Sequence, residues 1–578
     1  MNAKVRAHFA VVITFLFCIS LYVTSSSAQN PPQTLVGVTE RVSVASDGTQ
    51  GNRESFTPSI SADGRYVAFT SGSSNLVAGD TNGFDDVFVH DRLTGETTRV
   101  SVASDGTQGN GDSALGGISA EGRYVAFTSS STNLVDGDTI LCYWRYIKYN
   151  CSDVFVHDRV TGETTIVSVA SDGTQGNWNS YATSISADGR YVVFGSDASN
   201  LVVGDTNFCF TSGITSFGCP DVFVHDRWTG ETNRVSVASD GTERSRWSTS
   251  GSISADGRYV VFNSFASFVA GDLNDNLDIY IHDQLTGETT WISVASDGNQ
   301  GNGNSFSNSI SADGHYVLFD SESSNLVPGD ANNVKDVFVR ERETGVTTRV
   351  SIASDGIEGN YASWSRSISS DGRYVAFGSI ASNLVNGDTN NYCDTDYDNF
   401  YDDNCADIFM HDRITGETTL VSVAGNGTQG NDNSSDSSIS ADGRYVTFDS
   451  WASNLVLGDT NNTCDKNFDG TYNENCQDIF VRDREGLVVG YSVTGLVIDS
   501  DGNPLPGVNI SAGYGYSAMT DSQGDYTIIG LPSGTYRITP SLTDYFFAPS
   551  WRTVSVPPER VGINFAEGFP TFLPLIGR

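Results

Sequence analysis

Lysine occurs at only four places in this chain, Lys4, Lys148, Lys335 and Lys466, and methionine only 3 times. Both residues suit helix interiors. Their scarcity beside 60 glycines argues against long helices and for short strands joined by tight turns. Positive charge is also thin: 32 Lys and Arg face 70 Asp and Glu, for a formal net charge of −38. Such a surface repels nucleic acid and anionic lipid, leaving cations, basic partners or plain solubility as its uses. After Val23 no apolar run is long enough to span a bilayer. The chain carries no H-E-x-x-H, H-x-x-E or G-x-S-x-G pattern, so neither a zinc peptidase nor a serine hydrolase elbow has visible residues. The phrase around Gly111, "GDSALG", aligns with "GNRESF" and "GNWNSY" elsewhere and is repeat variation. No catalytic residue is expected.

The first residues combine a basic start (Lys4, Arg6), an apolar stretch from Phe9 to Val23 and small residues ending at Ala28. Residues 1–28 are read as a secretory signal, and a retained membrane anchor is the alternative. Cleavage would remove two cations and take the charge from −38 to −40. The remaining length exceeds one ordinary core and calls for several domains or a repeat.

A repeat is present. "RVSVASDGTQGN" at Arg41 returns at Arg99 and in variants up to Leu420, while "SISADGRYVAF" recurs with its turn acid at Asp63, Glu121, Asp188, Asp256, Asp313, Asp371 and Asp442. Both series step by 58, 67, 68, 57, 58 and 71 residues, the mark of stacked supersecondary units. Each unit reads as four strands with Asp-Gly and Thr-Gly hairpin turns. Seven such units predict an all-β, seven-bladed β-propeller. The lone strand phrase at 39–46 matches the fourth strand of a blade, so it is expected to close blade seven.

These units resemble the TolB-type, WD-like propeller repeat over 39–487, with the phrases "S-x-DG-x-x-hydrophobic-AF-x-S" and "D-hydrophobic-F/Y-V-x-D" carrying the likeness. From Val493, "VTGLVIDSDGNPLPGVNI" and "TDSQGDYTIIGLPSGTY" resemble the carboxypeptidase regulatory-like domain. That likeness implies a non-catalytic, transthyretin-like β-sandwich over 492–566. Residues 567–578 are a short apolar tail with no assigned role.

Beyond Cys18, eight cysteines fall in four close couples: Cys142/Cys151, Cys209/Cys219, Cys393/Cys405 and Cys464/Cys476. Each couple lies in one long loop between the second and third strands of blades two, three, six and seven. Local disulfides in an oxidising compartment are the economical reading. Two of these loops are acidic, and alternating oxygen ligands resemble the first half of a calcium loop. The candidates are Asp394, Asp396, Asp398, Asp402 and Asp403, then Asp465, Asn467, Asp469, Thr471 and Asn473. A solvated acidic loop is the competing reading. Short loops carry a weaker D-x-N-x-x-x-D pattern: Asp80, Asn82, Asp86; Asp272, Asn274, Asp278; Asp330, Asn332, Asp336. There, calcium competes with Asx turns that only shape the backbone.

His90, His157, His225, His282 and His411 share one repeat position, taken by Arg340 and Arg482 in blades five and seven. They are expected to pair with a neighbouring Asp or Arg. The disulfide loops and the "SDGTQGN" links should share one face, near Phe56, Trp178, Tyr181, Trp247, Phe306, Tyr361 and Trp364. Aromatic and acidic groups together suit sugars, peptides or basic proteins; core packing is the alternative. The expected function is an exported binding or scaffold protein with an extracellular protein, peptide or glycan partner. The competing classes are a lyase or hydrolase with a central-channel site and a purely structural surface module.

Overall fold

A computed structural model describes residues 37–568 apart from 145–146, 207, 210–216, 391–392, 394–403, 463, 465–473, 486–490, 514–515, 532–533, 544 and 557–559. Among these, every regular element is a strand. In blade one, Ser55–Ile60, Tyr66–Ser71, Asp86–Asp91 and Glu96–Arg99 pair in chain order. Gly64 and Gly95 both turn at φ 74, a left-handed conformation that glycine adopts without a Cβ penalty. Five further sheets repeat this order, and in the seventh the strand Val38–Arg41 pairs antiparallel with Asp478–Asp483.

Third strands such as Asp86–Asp91 are buried along their whole length, because a neighbouring blade covers each face. The core is therefore a set of layers between blades. One layer joins Val87, Val89 and Val100 of blade one to Val125, Phe127 and Phe155 of blade two.

The repeated phrases build the joints. A backbone hydrogen bond runs from Ala62 N–H to Ala120 O at 2.9 Å, and its equivalents continue until Ala441 N–H donates to Ala62 O at 2.9 Å, closing the ring. At each joint a tyrosine ring covers the next blade's turn glycine, and an arginine lies on the same ring. Tyr66 packs on Gly122 while Arg159 stacks 4.4 Å above Tyr66. Every innermost strand carries a bulge, which frees an amide. Four of these amides are bound by the preceding blade: Leu115 N–H donates to Thr70 Oγ1 at 3.0 Å and Ala182 N–H to Thr128 Oγ1 at 2.8 Å. Asp320 and Asp449 do the same for Ser365 and Thr57, both at 3.2 Å.

The C-terminal region forms two four-stranded sheets. They enclose a separate core that includes Val493, Val508, Ile510, Tyr526, Ile538 and Phe565.

Candidate functional site

The residues of the repeated loop motif meet at the outer end of each blade. In blade one Asp86 is fully buried, Ser101 Oγ donates to its Oδ1 at 2.5 Å, and Asn82 Nδ2 donates to its Oδ2 at 3.0 Å. Arg99 places one nitrogen 3.0 Å from Asp80 and 3.1 Å from Asp86. The first weak triplet thus meets around an arginine, which supplies the positive charge a cation would bring. Blade five repeats this. Asp330, Asp336 and Glu358 bring carboxylate oxygens within 4.8 Å of one another, a donor set that could hold a metal ion. Arg349 lies among them at 3.2, 3.1 and 2.7 Å.

Three blades have no arginine at that position; Ile166, Trp291 and Leu420 stand there instead. A link glutamine bridges the acids. In blade two, Gln175 Nε2 donates to Asp138 and Asp153, both at 2.8 Å. In blade six, Gln429 donates to Asp388 at 2.7 Å and Asp407 at 2.9 Å. In blade four, the triplet Asp272, Asn274, Asp278 is met by Gln300, which donates to Asp272 at 2.7 Å, and by the Tyr280 hydroxyl. Burial pushes Asp153 and Asp407 up to about 7, and Asp278 up to about 6.

These acid pairs escaped the sequence reading where an insertion separates the two members. The available signal was a "GDT" phrase before each long loop and the "DVF" or "DIF" phrase after it.

Disulfides join Cys142 to Cys151, Cys393 to Cys405 and Cys464 to Cys476. Cys219 is also disulfide-bonded; the side chain of Cys209 lies outside the described residues. So do all the stronger metal candidates, Asp394, Asp396, Asp398, Asp402, Asp403, Asp465, Asn467, Asp469, Thr471 and Asn473.

The repeated histidines pair differently from expectation. Their partner is a threonine, not Asp or Arg: His90 Nδ1 lies 2.9 Å from Thr97 Oγ1, and His157, His225, His282 and His411 repeat the contact. The neighbouring aspartate is taken by the turn arginine, as when Arg65 grips Asp91 through two bonds at 2.9 and 2.6 Å. Arg340 and Arg482 reach the equivalent threonines, Thr347 and Thr39, at 2.9 and 3.0 Å.

Among the aromatics named from the sequence, Tyr181, Trp247 and Tyr361 are exposed, whereas Trp178 packs against the blade-two and blade-three core. Residues from all seven innermost strands line a central cavity of about 620 Å³. Most are serine, threonine or glycine; Arg366 and Asp436 form an ion pair in its wall at 2.6 Å. Behind them, burial and the Asp436 charge push Asp449 up to about 7.

Residues 492–565 match the carboxypeptidase regulatory-like domain family. No curated protein matches the chain. Similar solved structures include TolB from Acinetobacter baumannii, at 16% identity and TM-score 0.29. That likeness covers 51% of this chain and 54% of TolB, so the chain spans about half of that relative. An oligogalacturonate lyase in complex with manganese is 13% identical over 77% of this chain and 92% of its own, with TM-score 0.43. The β-propeller domain of the Trilobed protease from Pyrococcus furiosus is 11% identical over 69% and 92%, with TM-score 0.39. Likenesses this distant carry no argument about fold or activity.

Proposed function

We propose that this chain is an exported binding or scaffold protein that presents the loop face of its propeller to a protein or carbohydrate ligand. The observation that carries the reading is the bracing of that face by hydrogen bonds and disulfides. In blade one, Asn52 N–H donates to Asn75 Oδ1 at 2.9 Å and Asn75 Nδ2 donates back to Gln50 O at 2.8 Å. Long loops on the same face are closed by disulfides. Surfaces held in one conformation lose little entropy on binding. The repeated histidines and arginines are engaged inside the ring, which favours binding over catalysis. Disulfides support an extracytoplasmic location, and among the described residues no helix is long and apolar enough to cross a membrane.

An enzyme with a channel site is the second reading, favoured by Asp449 beside Asp436 and Arg366. Against it, the Asp449 oxygens are occupied by Ser435 and by the Thr57 amide, an architectural use. A glycan and peptide array with and without calcium tests binding; no retained probe in either condition overturns it.

Calcium is proposed for the two acidic stapled loops, where carboxylates crowded along the sequence would repel one another without a cation. Millimolar calcium should raise the melting temperature, by the equivalent of about 2.7 kcal/mol at a hundredfold excess over the dissociation constant. Asp396→Asn with Asp398→Asn should remove the blade-six part of that response. Melting that ignores calcium would falsify the metal reading.

A further inference from the structure

Blade three leaves one acid without a partner. Asp197 ends the second strand, where the other blades carry Gly72, Ser130, Phe265, Glu322, Ile380 and Trp451. Its N–H donates to Asn179 O at 3.0 Å, and Tyr181 pairs opposite Gly195. Residues two apart on a strand share a face, so Asn179, Tyr181 and Asp197 stand together on the loop side of the blade. Glu322 is the other acid at this position, and there the facing Asn304 amide donates to it at 3.2 Å. Asn179 is turned elsewhere: its Nδ2 donates to the Tyr149 hydroxyl at 3.1 Å, and its Oδ1 accepts the Ser152 N–H at 3.0 Å. Tyr149 belongs to the hairpin that Cys142 and Cys151 close.

Among the described residues no side-chain donor and no cation meets the Asp197 carboxylate, and burial pushes it up to about 6. Burial, the Asp197 charge and Tyr149 together push the Tyr181 hydroxyl up to about 12, so the acid and both phenols feel one another. Tyr181 is nevertheless 48% exposed. The chain already seats an ammonium in such surroundings. Lys335 Nζ lies 3.1 Å from Asp320, 5.2 Å from the Phe306 ring centre and 6.0 Å from that of Trp364. Phe306 and Trp364 hold the repeat position of Tyr181, with the acid shifted by two residues along its strand. Pro220 stands in blade three where Lys335 stands in blade five. Blade three thus has the acid and the rings without a cation of its own.

We propose that Asp197, Tyr181 and Tyr149 form a receptor for one lysine side chain of a peptide or protein partner. The proposal rests on the loop face being a binding face and names the partner chemistry there. A half-buried carboxylate without a donor is costly, and an arriving ammonium supplies both the donor and the opposite charge. Tyrosine rings beside the acid attract the same cation through their faces. The net charge of −38 draws basic partners from a distance, while this site fixes where one of their side chains settles. A neutral sugar would use the rings and leave the carboxylate without its counter-charge.

The test uses the full chain and two end-capped glycine peptides, one with a single central lysine and one with that lysine acetylated on Nζ, read by saturation-transfer NMR and calorimetry. The free lysine should bind at least about tenfold more tightly than the acetylated one, a difference of about 1.4 kcal/mol. Asp197→Asn should bring the two peptides level while melting no lower than the parent, because it removes a half-buried charge that nothing offsets. Tyr181→Ala should weaken the lysine peptide about threefold, the size of an exposed cation–π contact. Glu343→Gln removes an equal charge at a hairpin turn away from the loop face, where the side chain is 71% exposed, and should change nothing. Equal binding of the two peptides, parent-like binding by Asp197→Asn, or an equal loss in Glu343→Gln each overturns the inference. If the array retains other probes regardless of Asp197→Asn, the loop-face reading stands without this site; if neither the array nor the lysine peptide gives a signal, both fall.

Discussion

A methyl group at Gly122 would meet the Tyr66 ring at 2.2 Å, on a residue held at φ 71. Gly122→Ala should therefore combine left-handed strain with overpacking and cost about 2–4 kcal/mol in urea melts. Gly95→Ala has the same φ sign but open space around it, so it should cost only the strain. Titration also acts at this scale. Burial pushes the His90, His225 and His411 imidazoles down to about 4 from 6.5. Their contribution is full above pH 6.5 and is lost as pH falls to about 4. Asp407 runs the other way: pushed up to about 7 from 3.8, its contribution is full below pH 3.8 and lost as pH rises through 7. Asp407→Asn removes only that second trend. From about pH 4 to about pH 7 the variant should gain on the parent, by at most about 1.4 kcal/mol per pH unit, and the gain should level off above that. A constant difference across that range would show that Asp407 does not titrate there.

At the scale of the element, each blade is a hairpin series whose loop end must neutralise buried acids. Arg349→Met would leave Asp330, Asp336 and Glu358 without their arginine, whose side chain is 10% exposed. Breaking such a partly buried cluster should cost about 3–5 kcal/mol in denaturant titration. A loss below that of a typical surface substitution would mean the acids relax outward or protonate. Strands and turns were legible because apolar alternation and the Asp-Gly and Thr-Gly pairs are local signals. The acid clusters were only half legible. Asp330 and Asp336 share one loop, but Arg349 comes from the fourth strand and Glu358 from the following link. No local spacing announces that meeting.

At the scale of the whole molecule, the seventh sheet depends on a strand from the far end of the chain. Thr39 Oγ1 reaches Val423 O at 2.5 Å, and Ser43 Oγ reaches Asp478 at 2.6 Å. Deleting residues up to Ser46 strips that sheet of its outer strand and exposes an unpaired edge. The truncated chain should melt less cooperatively and aggregate at lower concentration, as read by calorimetry and light scattering. Parent-like melting would mean another segment supplies the strand.

The sequence alone determined the all-β class, because turn chemistry and alternating burial repeat seven times and each copy carries its own instructions. Its cysteine couples pointed to local closure for the same reason: both partners lie in one loop. What tertiary structure decided is which side chains meet between strands, within a blade and across a joint. His90 is adjacent to Asp91 in sequence, yet Arg65 claims that aspartate and the histidine turns to Thr97. Across a joint, Leu115 N–H finds Thr70 Oγ1 of the preceding blade. In a ring of radial sheets each side chain faces a neighbouring blade about 60 or more residues away, so its partner is chosen by stacking and not by proximity along the chain.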